Sequence, residues 1–147
     1  MKLSSPLFSD GGAIPRKYTC DGEDSVPPLA FEQVPPNAEG LALIVDDPDA
    51  PGGTWDHWIL YDIPPSAKGI EEGREPAFSH GINSWKREKW GGPCPPDREH
   101  TYVFTLYAVD NVFRFSEAPR KKEVLHAIEG HVIEKAVLRA KYKRPWM

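Results

Sequence analysis

The chain has little of what would assign it to several broad classes. Cysteine occurs only twice, at Cys20 and Cys94, too few for a disulfide framework or for a structural zinc site. On sequence grounds both are expected to be free thiols in a reducing cytosol, with a single bridge as the alternative. No apolar run approaches the twenty or so residues needed to span a bilayer. The first residues, Met1-Lys2-Leu3-Ser4-Ser5-Pro6, lack the apolar stretch of a secretory signal, and a cytoplasmic location is the expectation. Basic residues are outnumbered, 18 Lys and Arg against 22 Asp and Glu, giving a net charge of −4. Nucleic acid is therefore not the expected main partner, because backbone binding draws on a basic excess. A small anion stays open, since a few local donors can outweigh overall charge. Walker-type phosphate loops and His-Glu-x-x-His metal motifs are absent too.

What is abundant is proline, 16 of 147 residues, much of it in pairs at 27–28, 35–36, 64–65 and 95–96. Proline cannot donate to a ladder and fixes its own φ, so these pairs mark rigid loops between elements. With 39% hydrophobic residues and no long linker, the chain reads as one domain over 1–147. Leu41–Val45, Trp58–Ile63 and Thr101–Val109 are the clear strands, with Leu29–Phe31 a shorter one. Thr101–Val109 is apolar on both faces, which predicts a central strand covered on both sides. Residues 66–100 carry little periodicity, as expected of a long functional loop. From Arg120 to Lys141 the spacing of Leu125, Ile128, Val132 and Ala136 predicts an amphipathic helix, or two short ones divided at Gly130. Strands first and helices last give an α+β or mainly β class.

Three segments carry side chains suited to chemistry. Asp47-Pro48-Asp49-Ala50-Pro51 holds two carboxylates between prolines, and taken alone it reads as an Asx-turn. Trp55-Asp56-His57-Trp58 places a histidine between tryptophans, either at a pocket edge or satisfied in the core. Gly91-Gly92-Pro93-Cys94-Pro95-Pro96 precedes His100-Thr101-Tyr102 at the mouth of a strand. The glycines there allow close backbone approach to a ligand. Nothing beside Cys94 resembles an activating base, so it is read as inert.

The order and spacing of these segments resemble the bacterial and archaeal branch of the phosphatidylethanolamine-binding protein family, whose kinase-inhibitor-like signatures they match. Ile14-Pro15, Tyr18-Thr19-Cys20-Asp21-Gly22, Pro27-Pro28-Leu29 and Gly130-His131-Val132 extend the likeness over essentially the whole chain. Two departures stand out. Ala30-Phe31 follows Leu29 where the family has a tryptophan, and Thr101 replaces a common arginine. The resemblance implies a β-sandwich of two antiparallel sheets with C-terminal helices. It further implies a pocket for a small anion, phosphate or a phospholipid head group, lined by Asp47, Asp49, Pro51, His57, Gly92, Pro93, Cys94, His100 and Tyr102. Within such a lining His57, His100 and Tyr102 would donate to the anion, while Asp47 would orient a histidine and favour its protonated form. The expectation is a non-catalytic protein that needs no cofactor or metal, is not inserted in a membrane, and could form a homodimer. The alternative is an inhibitor of a serine protease or kinase acting through surface loops, with Trp85 and Trp90 as anchors if they are exposed. Ala50-Pro51 is further expected to be a cis peptide, in a tight turn shaping the pocket.

Overall fold

The computed structural model describes residues 1–147. Nine strands form two sheets. The smaller is antiparallel, with β1 (Lys2–Ser4), β3 (Leu29–Glu32) and β6 (Gly69–Ile70) in the order β1-β3-β6. The larger runs β2-β9-β8-β4-β5-β7, from β2 (Gly12–Ala13), β9 (Val132–Tyr142), β8 (His100–Val109), β4 (Gly40–Asp47), β5 (Trp55–Ile63) and β7 (Ser79–His80). Its pairings are antiparallel apart from the short parallel one between β2 and β9.

The strands read from the sequence sit where their apolar patterns place them. Alternation turns Tyr102, Phe104, Leu106 and Ala108 of β8 inward, and Leu41, Leu43 and Val45 of β4 lie beside them. Leu3, Leu29, Phe31 and Ile70 of the smaller sheet close the core from the other side. Phe104, fully buried, meets Phe8 and Trp90 with ring centroids 5.9 and 6.0 Å away. A second, smaller cluster lies on the outer face of the large sheet, where Ala42, Ile44 and Ile59 pack against Val124 of the single helix α1 (Lys121–Ile128).

Four expectations are corrected. The strand covered on both faces is β4, buried from Gly40 to Val45, whereas outward residues of β8 from Thr101 to Tyr107 are only half-buried. The cause is placement: α1 lies over β4 and β5, leaving the outer side of β8 and β9 uncovered. The C-terminal helix stops at Ile128, and Val132–Tyr142 forms β9, the longest strand. Gly130 takes φ 79°, a left-handed conformation that ends a helix cheaply only at glycine, and the chain leaves in extended form. No peptide bond is cis, so Ala50-Pro51 is trans. The turn gets its shape instead from Asp47, whose Oδ1 accepts the Asp49 N–H at 2.9 Å.

Finally, Cys20 and Cys94 are joined in a disulfide, Cα atoms 5.4 Å apart, and no cysteine is free. Their separation of 74 residues hid this proximity. The backbone around the bridge is already held, with the Cys20 N–H donating to the Pro93 carbonyl at 3.1 Å. A loop of that length contributes about 4 kcal/mol in the chain-entropy picture, and measured values run lower. Cys20→Ser/Cys94→Ser is therefore expected to lose about 2–4 kcal/mol of unfolding free energy in urea titration. Added reductant should reproduce the loss in the wild type and do nothing further to the variant.

Candidate functional site

The three sequence segments converge at one end of the large sheet. β4 ends at Asp47, β5 begins at Trp55, and β8 begins at His100, so antiparallel pairing brings residues 47, 57 and 102 together. Between them lies a cavity of about 340 Å³ lined by Asp47, Ala50, Pro51, Trp55, His57, Trp85, Cys94, Pro96 and Tyr102. Its walls are largely apolar, and its few polar groups are buried, with Asp47 and His57 each 3% exposed. This is the usual composition of a small-molecule site.

Of the residues expected to line the pocket, Asp47, Pro51, His57, Cys94 and Tyr102 do so, the last cysteine as half of a disulfide. Asp49, Gly92, Pro93 and His100 do not, and each has a structural task. The Oδ2 of Asp49 accepts the Thr101 N–H at 2.9 Å, pinning the β4–β5 turn to the start of β8. Gly92 is packed against Tyr18 and Asp24, and a Cβ there would collide with the backbone carbonyl of Tyr18. The close approach its hydrogen allows is thus to another loop, not to a ligand. Pro93 is buried beneath the bridge.

His100 is fully buried behind the pocket with both ring nitrogens engaged. Nδ1 lies 2.6 Å from Asp47 Oδ2 and Nε2 lies 2.7 Å from Asp97 Oδ1. Two carboxylate partners call for two N–H donors, which is the imidazolium. Burial alone would depress its pKa, but the hydrogen bonds and charges of Asp47 and Asp97 prevail and hold it above the usual histidine value. The expected link between Asp47 and a histidine is therefore present. The histidine it orients, however, has no donor left for a ligand.

His57 is the opposite case. Its Nδ1 lies 2.6 Å from the Gly91 carbonyl, which can only accept, so Nδ1 carries the proton. Burial lowers its pKa below the ordinary histidine value, against smaller opposing effects from Gly91 and Asp47. Near neutrality Nε2 is then a bare acceptor with no hydrogen-bond partner, and it donates only once protonated. Tyr102 stands 5.2 Å away, ring centroid to centroid, and its buried hydroxyl makes no well-formed hydrogen bond, although the Asp47 side chain and the Cys94 backbone are close by. Burial and the neighbouring Asp47 charge keep that hydroxyl protonated far beyond physiological pH. A buried hydroxyl without a partner costs free energy and is a natural contact for a ligand oxygen.

Sequence reasoning named Trp85 as a possible partner anchor but missed it as the outer wall of the pocket. Trp85 packs edge-on against His57 at 4.8 Å and against Trp55 at 5.6 Å, and it is 40% exposed, while Trp90 is buried in the core. Trp85 is positioned by Asn83, whose buried side chain organises the loop. Nδ2 donates to the His57 and Lys89 carbonyls, and Oδ1 accepts the N–H groups of Trp85 and Arg87. An asparagine closing its own turn was the one available signal.

The architecture is thus a two-sheet β-sandwich with a half-enclosed, aromatic-rimmed pocket at one end of the larger sheet. The family model described as phosphatidylethanolamine-binding protein matches residues 4–143, and the chain belongs to that family. It is 46% identical to a UPF0098 protein of Methanothermobacter thermautotrophicus, over 98% of this chain and 99% of that one. A UPF0098 protein of Chlamydia pneumoniae is 42% identical with the same coverage. Among solved structures, a phosphatidylethanolamine-binding protein homologue of Chlamydia trachomatis superposes with a TM-score of 0.94 at 40% identity, over 97% of both chains. Escherichia coli YbcL, 24% identical, shares the fold with a TM-score of 0.88, over 97% of this chain and 98% of its own.

The His100 cluster yields a pH signature of stability. A histidine with a raised folded pKa stabilises fully below its unfolded value of about 6.5, and the contribution is lost as pH rises through the folded value. The wild-type thermal midpoint should fall as pH rises from about 6.5 up to that folded value, and His100→Gln should flatten that decline. His80, raised by Glu75 in the same direction, leaves a residual slope in the variant. Equal slopes in the two proteins would show that His100 does not carry the charge.

Proposed function

We propose that the pocket binds a small anion or the phosphorylated head group of a lipid, without chemistry. The observation that carries this reading is the pair of polar atoms without a hydrogen-bond partner, Tyr102 Oη and His57 Nε2, in a largely apolar cavity whose one carboxylate is Asp47. Tyr102 donates to an anionic oxygen as it stands, and His57 donates after taking up a proton. Asp47 would repel an anion were it alone, but the His100 imidazolium beside it offsets its charge. The same carboxylate suits the ammonium of an ethanolamine head group. Cys94 is held in the bridge and offers no thiolate, which favours binding over covalent chemistry.

Calorimetric titration with phosphate and O-phosphorylethanolamine tests this, using wild type beside His57→Ala and Tyr102→Phe. Each substitution should weaken binding at least about tenfold, the scale of one hydrogen bond to a charged group. His100→Ala should weaken it as well, by freeing Asp47. Wild-type protein that takes up neither ligand would end the reading. Sulfate isolates the pH effect, because its own charge is constant. Its affinity should fall by up to about tenfold per unit as pH rises above the His57 pKa of the free protein, which lies below 6.5. A flat profile would remove His57 from the donor set.

One observation favours a second reading, inhibition of a protease or kinase. Trp55 and Trp85, 39% and 40% exposed, form a paired aromatic rim of the kind that anchors interfaces. No helix is long and apolar enough to cross a membrane. A cytoplasmic location is kept as a proposal, and the disulfide weighs against it unless the host maintains intracellular bridges, as hyperthermophiles do.

A further inference from the structure

The uncovered side of the large sheet carries a charge pattern that the pocket does not use. Along β9 the inward residues are Ala136, Leu138, Ala140 and Tyr142, so Lys135, Val137, Arg139 and Lys141 face outward. Each lies beside an outward residue of β8, in the rows Lys135–Tyr107, Val137–Thr105, Arg139–Val103 and Lys141–Thr101. Lys143 follows in the same alternation just past the strand end, and all four cations are exposed. Alternate residues of a strand are about 6.7 Å apart, so from Lys135 to Lys143 the ladder runs about 27 Å along the sheet face.

Its cations, Lys135, Arg139, Lys141 and Lys143, form no ion pairs, although lysines and arginines elsewhere do. Three acidic groups lie near the row, and none is paired with one of its cations. Asp46, the next strand over, is paired with Lys121 at 3.0 Å. Asp49 accepts the Thr101 N–H, and Asp10 accepts the Arg139 N–H. A chain of net charge −4 therefore gathers a row of unpaired cations on one bare face.

We propose that this face docks on an anionic lipid bilayer, as a peripheral contact. Charge complementarity selects an anionic partner, and the shape and chemistry of the face select a bilayer. The cations form one row on an open sheet face, with no groove to follow a nucleic-acid backbone. The only aromatic ring in the ladder, Tyr107, is half-buried against the α1 side of the sheet and cannot act as a stacking platform. A planar array of exposed lysines and arginines is what an anionic membrane surface attracts, at about fivefold in affinity per cation. The row passes Lys141, opposite Thr101, at the end of the sheet that holds the pocket. Docking is nevertheless independent of what the pocket binds.

Vesicle co-sedimentation tests it, with phosphatidylcholine alone against three parts phosphatidylcholine to one part phosphatidylglycerol. Wild-type protein should bind the mixed vesicles at low salt, not the neutral ones, and should be released by half-molar salt. Lys135→Glu/Arg139→Glu/Lys141→Glu should weaken binding about a hundredfold or more. The milder Lys135→Gln/Arg139→Gln/Lys141→Gln should lie between, which guards against a variant that fails to fold. Lys2→Glu/Lys68→Glu, at the other sheet, should bind as wild type does. The proposal is overturned if wild type shows no preference for anionic vesicles, if the ladder variants bind equally well, or if an oligothymidylate is bound and vesicles are not.

Discussion

The contact between Asp47 and His100 joins the last residue of β4 to the first of β8, 53 positions apart in sequence. On it depends the shape of the pocket. It fixes one carboxylate oxygen, while the other accepts the Asp49 N–H and sets the turn that leads to β5. Asp97 holds the far side of the same imidazole, and with it the loop that carries Cys94 and Pro96 into the pocket wall. A buried pair of this kind is poor evidence for stability in itself, since desolvation offsets much of the attraction. Its contribution is definition: one cation with two carboxylates permits one arrangement of three segments.

The two pocket histidines divide the work through their surroundings. His100 has carboxylates on both sides and holds its proton, whereas His57 has a backbone carbonyl on one side and a cavity on the other and gives its second proton up. Identical side chains about one strand apart thus become a fixed structural charge and a titratable group facing the ligand space. Sequence alone made both of them donors to a ligand, because a histidine's tautomer depends on what its second nitrogen meets.

Much of the fold was legible where local pattern and tertiary role agree. β4, β5 and β8 carry runs of large apolar residues, and their ends coincide with prolines, aspartates and a histidine. β9 was not, because its inward positions include Ala136 and Ala140, too small to stand out. Leu125, Ile128, Val132 and Ala136 meanwhile fall at helical spacing across a helix, a turn and a strand. Asp47, His57 and Tyr102 were legible in the site because strand ends carried them. The roles of Asp49, Gly92 and His100 were hidden, since each is set by a partner in another loop. Trp85 lay in the unpatterned stretch that only Asn83 organises.

The disulfide also alters how the molecule would respond to force. It ties residue 20 to residue 94 and encloses β3 to β7 in a covalent ring, leaving β1, β2, β8, α1 and β9 on the open arms. A molecule drawn out by its two ends could lengthen only through those arms. About 250 Å of contour, at 3.3–3.6 Å per residue, would stay locked inside the ring however hard it was pulled. The β4 and β5 walls of the pocket would then lie inside the ring, while β1 and β2 on the N-terminal arm, held by pairings of three and two residues, would peel before β9.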